Sequence, residues 1–128
     1  MVRIEFAKGY NGFRETANKL TEDENVKLFV YFVGEKDDKG QSWCPDCNAA
    51  EGTVTKAVQE YADENTILLT VDVGDRPFWK DKENPFRKDS DVKLMVIPTI
   101  VRWKSTLRLD GDQCKKVELL EMLFKEDM

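Results

Sequence analysis

The run Val-Lys-Leu-Phe-Val-Tyr-Phe-Val at residues 26–33 places the strongest constraint on how this chain folds. Apart from Lys27 and Leu28, its side chains are all β-branched or aromatic. A strand with one wet face alternates apolar and polar residues; a strand without alternation is covered on both faces, as in the middle of a largely parallel sheet. Helices must then lie on both sides, which makes the chain α/β. Residues 66–73 form a second β-rich run and residues 2–6 a short strand. Residues 96–103 and 107–109 read as a strand pair joined by a tight turn near Lys104 and Ser105. Phe13, Ala17 and Leu20 share one helical face, with Asn11 or Gly12 as the start signal. Ala50, Val54, Ala57, Val58 and Tyr61 repeat at helical spacing, as do Val117, Leu120, Leu123 and Phe124. Residues 74–91 are polar and carry Pro77 and Pro85, a long excursion with a turn or two of helix. The order β-α-β-α-β-(loop/α)-β-β-α predicts a central mixed sheet flanked by helices, one domain over residues 1–128.

Composition narrows the function. A net charge of −5 argues against nucleic acid, whose phosphates demand a basic face, and against anionic membrane surfaces. The longest apolar run, residues 28–33, is far too short to cross a bilayer. The opening Met1-Val2-Arg3-Ile4-Glu5 lacks the apolar core of a signal peptide, so the expected location is the reducing cytoplasm, with a monomer as the default state. The chain has no histidine, which removes Cys–His and Ser–His nucleophiles and His-ligated metals together.

Sulfur is what remains. Trp43-Cys44-Pro45-Asp46-Cys47 holds two of the three cysteines and opens the helix that follows the polar loop at residues 34–42. A cysteine at a helix N-terminus meets unpaired backbone N–H groups and the positive dipole end, both of which favour a thiolate. Pro45 suits the first helical position, where its missing N–H costs nothing. Cys44 is then the attacking thiol, and Cys47, one turn later, resolves the mixed disulfide. Asp46 favours the helix start but opposes a nearby thiolate, and Trp43 offers a flat docking surface beside the sulfur. The competing reading is a structural zinc site. Such a site usually takes four thiolate or imidazole ligands, and Cys114 is the only other thiol. Cys114 itself reads as a small buried residue ahead of the last helix.

With the cysteines on a strand–helix junction and Val96-Ile97-Pro98-Thr99 heading a later strand, the chain resembles the thioredoxin fold family. The resemblance implies that the Ile97–Pro98 peptide is cis, with Pro98 against the two cysteines and the residue-97 backbone open to an extended substrate; cis bonds are essentially confined to X–Pro positions. Gly74-Asp75-Arg76-Pro77-Phe78-Trp79-Lys80-Asp81, Phe86-Arg87-Lys88 and Glu121-Met122-Leu123-Phe124 extend it to a branch of small cytosolic thioredoxin-related proteins. That branch implies reduction of protein disulfides and of cystine, with electrons from NADPH through thioredoxin reductase. It also implies peroxidase activity, a dynein light chain among the partners and no bound cofactor. Three features depart from ordinary thioredoxin. Pro45-Asp46 stands where Gly-Pro is usual, Tyr31 where thioredoxin buries a proton-accepting aspartate, and Gly52 where a proline kinks the helix. The two long loops, residues 34–42 and 74–91, are expected to narrow the docking face toward small or selected disulfides. A glutathione-coupled, glutaredoxin-like reductase and an interaction module with secondary redox chemistry are the other functional readings.

Overall fold

The computed structural model describes residues 2–125; Met1 and residues 126–128, the outer ends of the expected 1–128 domain, lie outside them. The strands are β1 (Arg3–Lys8), β2 (Lys27–Val33), β3 (Thr66–Asp72), β4 (Thr99–Arg102) and β5 (Arg108–Asp110). The helices are α1 (Gly9–Leu20), α2 (Pro45–Tyr61), α3 (Arg76–Lys80), α4 (Pro85–Lys88) and α5 (Val117–Lys125). The five strands lie in the order β1-β3-β2-β4-β5. β3 runs parallel to both β1 and β2, whereas β4 is antiparallel to β2 and β5 to β4. The mixed sheet flanked by helices that the sequence predicts is therefore present.

β2 is the centre of the sheet, and Leu28 through Val33 are all buried. Successive side chains of a strand point to opposite faces, and the aromatic contacts follow that alternation. Phe32 meets Phe13 of α1 edge-on at 5.2 Å between ring centroids and Phe86 of α4 at 6.0 Å. Phe29 meets Phe124 of α5 at 5.0 Å. Helix α2 packs against α5.

The long excursion contains two capped helical turns. Asp75 caps α3 by accepting from the Phe78 N–H, and Asn84 caps α4 by accepting from the Arg87 N–H, each with a proline just inside. Asn84 is buried and its amide donates to the Trp79 and Asp81 carbonyls, both at 3.0 Å. Arg87 donates to the Trp79 carbonyl through Nε and Nη2 and stacks over the Trp79 ring at 4.1 Å. Asp89 is a buried carboxylate satisfied by the Tyr10 hydroxyl at 2.6 Å, Arg14 at 3.2 Å and the Asp91 N–H at 2.8 Å. That cluster ties α4 to α1. Burial, then the bond to Asp89, pushes the Tyr10 hydroxyl up.

Several boundaries differ from the sequence reading, for local reasons. β4 starts at Thr99, not at residue 96, because Pro98 has no N–H to give a ladder and the Thr99 hydroxyl donates to the Val96 carbonyl at 2.6 Å, closing a turn. β1 runs on to Lys8, in register with Asp72, and α1 begins at Gly9, ahead of Asn11 and Gly12. A 3-10 helix at Gly111–Lys115, not foreseen, starts with a capping box between Asp110 and Gln113. At Gly52 a side chain would meet nothing within 4 Å, so no neighbour's close approach requires glycine there.

Candidate active site

The approach to the cysteines is built by backbone-directed polar contacts. In the 34–42 loop, Asp37 accepts from the Lys39 and Gln41 N–H groups at 2.9 and 3.0 Å, which closes a turn. The Ser42 hydroxyl donates to the Gly34 carbonyl at 2.9 Å and accepts from the Cys44 N–H at 3.1 Å. Asn48 clasps Ser42 from α2, accepting from its N–H at 2.9 Å and donating to its carbonyl at 2.7 Å. A Cβ on Gly34 would sit 2.8 Å from Trp43 and 2.9 Å from the Ser42 hydroxyl, so only glycine lets the strand end pass this close. Gly34, Ser42 and Asn48 were not foreseen as site residues. Only their nearness to the cysteines in sequence marks them.

Cys44 is the N-cap of α2, with extended backbone at φ −92° and ψ 106°, and Pro45 occupies the first turn. Cys44 and Cys47 are paired as a disulfide with Cα atoms 5.2 Å apart, and the Cys47 N–H donates to Cys44 Sγ at 3.2 Å. Both residues are buried, and what separates them is where they open. Cys44 lines a groove of about 450 Å³ with Trp43, Trp79 and Met95, whereas Cys47 lines a separate small pocket of about 20 Å³ that also has the exposed side chains of Lys36 and Glu51 on its wall. The Trp43 indole N–H donates to the Gly74 carbonyl at 2.9 Å, which fixes the ring on the groove wall. Asp46 is exposed and its carboxylate is 3.0 Å from Lys115 Nζ, a cation on the 3-10 helix that offsets its charge. Hydrogen bonds to Asp112 and Asp46 hold the Lys115 ammonium above its usual range.

The Ile97–Pro98 peptide is cis, as the resemblance implied. The Ile97 carbonyl oxygen lies 3.9 Å from Cys44 Sγ, which brings the two segments together over 53 residues of chain. Ile97 and Thr99 are themselves buried; the exposed rim on this side is Met95 and Val96. The groove wall opposite carries Arg76, Lys80 and Arg87.

Cys114 is fully buried behind this segment, with Sγ 3.7 Å from the Pro98 carbonyl oxygen and 3.5 Å from that of Leu109. Burial pushes its thiol up from 9.0 to about 12. Native protein is expected to resist alkylation at Cys114 at mildly alkaline pH, and protein unfolded in denaturant to react fully, as read by mass spectrometry. The sign for stability follows: the thiol's contribution is complete below its unfolded value and declines as pH rises toward about 12. Among the described residues, no three His, Cys, Asp or Glu side chains gather into a metal-binding group, and no helix is long and apolar enough to cross a membrane.

Two sulfurs one turn apart at a helix start, one on a large groove and one on a separate small pocket, can interconvert between dithiol and disulfide. Known proteins match this architecture. The model of the thioredoxin domain of thioredoxin domain-containing protein 17-like proteins matches residues 6–126. Thioredoxin domain-containing protein 17 of Danio rerio is 38% identical over 117 residues, covering 91% of this chain and 93% of the relative. The Homo sapiens protein of that name is 36% identical over 117 residues, with coverage of 91% and 93%. The thioredoxin-like protein Clot of Arabidopsis thaliana is 42% identical over 99 residues, covering 76% of this chain and 69% of the relative. The crystal structure of chloroplastic thioredoxin z shares the fold, with a TM-score of 0.51 at 19% identity over 94% of this chain and 96% of that one. Strand order, the cysteine helix and relatives aligned over nine-tenths of their length agree: the chain belongs to the thioredoxin domain-containing protein 17-like family of thioredoxin domains.

Proposed function

We propose that this protein is a cytoplasmic thiol–disulfide oxidoreductase that reduces protein disulfides and small disulfides such as cystine, with Cys44 as nucleophile and Cys47 resolving. The observation that carries this reading is that the large groove reaches Cys44 and not Cys47, so the disulfide of an incoming substrate meets Cys44 first. The Cys47 N–H, which donates to Cys44 Sγ, and the positive end of the α2 dipole favour the Cys44 thiolate, and Pro45 leaves that helix end undisturbed. Trp43 and the 97–99 segment flank the reacting sulfur, so an extended substrate lies between the indole and the backbone at Ile97, with Pro98 and Thr99 holding that segment in place. Asp46 tunes the site under the influence of Lys115.

Electrons come from NADPH through thioredoxin reductase, with no resident cofactor, and a dynein light chain is among the partners. The same dithiol reduces peroxide: the Cys44 thiolate attacks one peroxide oxygen, the O–O bond breaks and the other oxygen leaves as hydroxide or alkoxide. The Cys47 thiol then condenses with the sulfenic acid to form the disulfide and release water. The protein acts as a monomer.

Trapping with Cys47→Ser tests the order of the two thiols. Exposed to oxidised cell extract, this variant is expected to accumulate mixed disulfides through Cys44, released by reductant and identified by mass spectrometry. Recovery of no Cys44-linked species, or NADPH oxidation that requires glutathione in place of thioredoxin reductase, overturns the reading.

A further inference from the structure

The cavity behind Cys47 contains a polar group with nothing to bond. It is lined by Tyr31, Lys36, Cys47, Asn48, Glu51 and Thr70, among others. Tyr31 is 4% exposed, and its hydroxyl has no hydrogen-bond partner among the described residues. Buried hydroxyls are nearly always paired, with protein or with an ordered water. At about 20 Å³ the pocket has room for a water beside the Tyr31 hydroxyl, and its wall reaches solvent at the Lys36 and Glu51 side chains. Glu51 follows Cys47 by four residues on α2, so both side chains hang from the same face of the helix. Lys36, from the 34–42 loop, pairs with the Glu51 carboxylate and sets its position.

We propose that Glu51 accepts the Cys47 proton through a single water held in this cavity by the Tyr31 hydroxyl. This rests on the dithiol reading above and identifies the group that makes its second step fast.

The other candidates are engaged elsewhere or keep their protons. Asp46 is paired with Lys115 on the outside of the helix start, and both polar atoms of the Asn48 amide are bonded to Ser42. Burial first, then the charges of Cys114 and Glu51, pushes the Tyr31 hydroxyl far up, so at neutral pH Tyr31 anchors the water and is not itself a base. The charged groups at the cavity are Glu51 from α2 and Lys36 from the loop; β2 contributes Tyr31 and β3 the neutral Thr70. Cys114, from the 3-10 helix, keeps its proton below about pH 12.

The step balances as follows. With substrate sulfur joined to Cys44, the Cys47 thiol gives its proton to the water, which passes one to Glu51. The Cys47 thiolate attacks Cys44 Sγ, the Cys44–Cys47 bond forms and the Cys44–substrate bond breaks. The substrate thiolate leaves and takes a proton from solvent. Two electrons have moved from the dithiol to the substrate disulfide.

Stopped-flow reaction of the fully reduced protein with a chromogenic aryl disulfide separates the steps, since one coloured thiolate is released when Cys44 attacks and a second when Cys47 resolves. In Glu51→Gln the first phase is expected to keep its rate. The second is expected to slow at least ~10-fold near neutral pH and to approach the wild-type rate as hydroxide takes over at alkaline pH. Glu51→Asp restores part of the rate. Tyr31→Phe, which conserves shape, is expected to slow the second phase as well without gaining stability. The proposal is overturned if the second phase of Glu51→Gln matches wild type at all pH values, if both phases slow together, or if Tyr31→Phe is more stable than wild type, the mark of a hydroxyl with no water. If wild-type protein gives no first phase, the dithiol function itself fails, which is a separate result.

Discussion

Cys44→Ser is expected to lower disulfide reduction at least ~10³-fold, to the background of a coupled assay that follows NADPH oxidation with thioredoxin reductase and a disulfide substrate. The reason is chemical. The nucleophile in exchange is a thiolate, and the start of α2 favours an anion at Cys44 by its dipole and by the Cys47 N–H that donates to Sγ. A serine hydroxyl in the same place does not ionise near neutral pH and makes no bond to a disulfide sulfur. Substitution of Cys47 blocks the cycle at a different point: the first attack still occurs, and the enzyme stalls as a mixed disulfide. Equal first-turnover rates for the two variants would contradict the assignment. Because the groove reaches Cys44 and not Cys47, the two serines must behave differently even though both cysteines are buried to a similar degree.

Phe13→Ala is expected to destabilise the fold by about 3–5 kcal/mol, measured by equilibrium denaturant unfolding of the oxidised protein. Phe13 is fully buried on α1, with ring centroids 5.2 Å from Phe32, 5.4 Å from Trp103 and 6.1 Å from Phe86. Those partners belong to the central strand, the end of β4 and the inserted helix α4. No single neighbour can therefore collapse into the gap. For a domain of this size the loss corresponds to a fall in Tm of roughly 10–20 °C. Phe6, 76% exposed on β1, is the control: its alanine variant is expected to stay within about 0.5 kcal/mol of wild type. A Phe13→Ala loss under about 1 kcal/mol would show that the aromatic cluster repacks.

What the sequence made legible was what depends on spacing along the chain. The unbroken apolar run at residues 26–33 identified a central strand because only a strand covered on both faces has no use for alternation, and Phe29 and Phe32 now face opposite helices. The Cys-x-x-Cys at a helix start was readable for the same reason, whereas the cis Ile97–Pro98 peptide was expected only through the family resemblance. Polar pairings between distant segments were not. Nothing in the sequence links Asn48 to Ser42 specifically, Asp89 to Tyr10, or Lys115 to Asp46. The 3-10 helix at Gly111–Lys115 lies between: Asp110 and Gln113 stand at capping-box spacing, a signal that was present and not used. The Tyr31 departure was visible as a missing carboxylate. That Glu51 shares a cavity with it required the helix and the strand to be seen together.

The strand order has a consequence for how this protein is made. β3 lies between β1 and β2, so the first two strands to leave the ribosome are not neighbours and have no sheet partner in each other. β1 stays unpaired, and β2 has neither of its neighbours, until Thr66–Asp72 emerges; the other flank of β2 waits longer still, for Thr99–Arg102. The reactive cysteine pair is thus synthesised before the sheet that shelters it can close. Until that sheet closes, Cys44 and Cys47 are open to any other thiol or disulfide they meet.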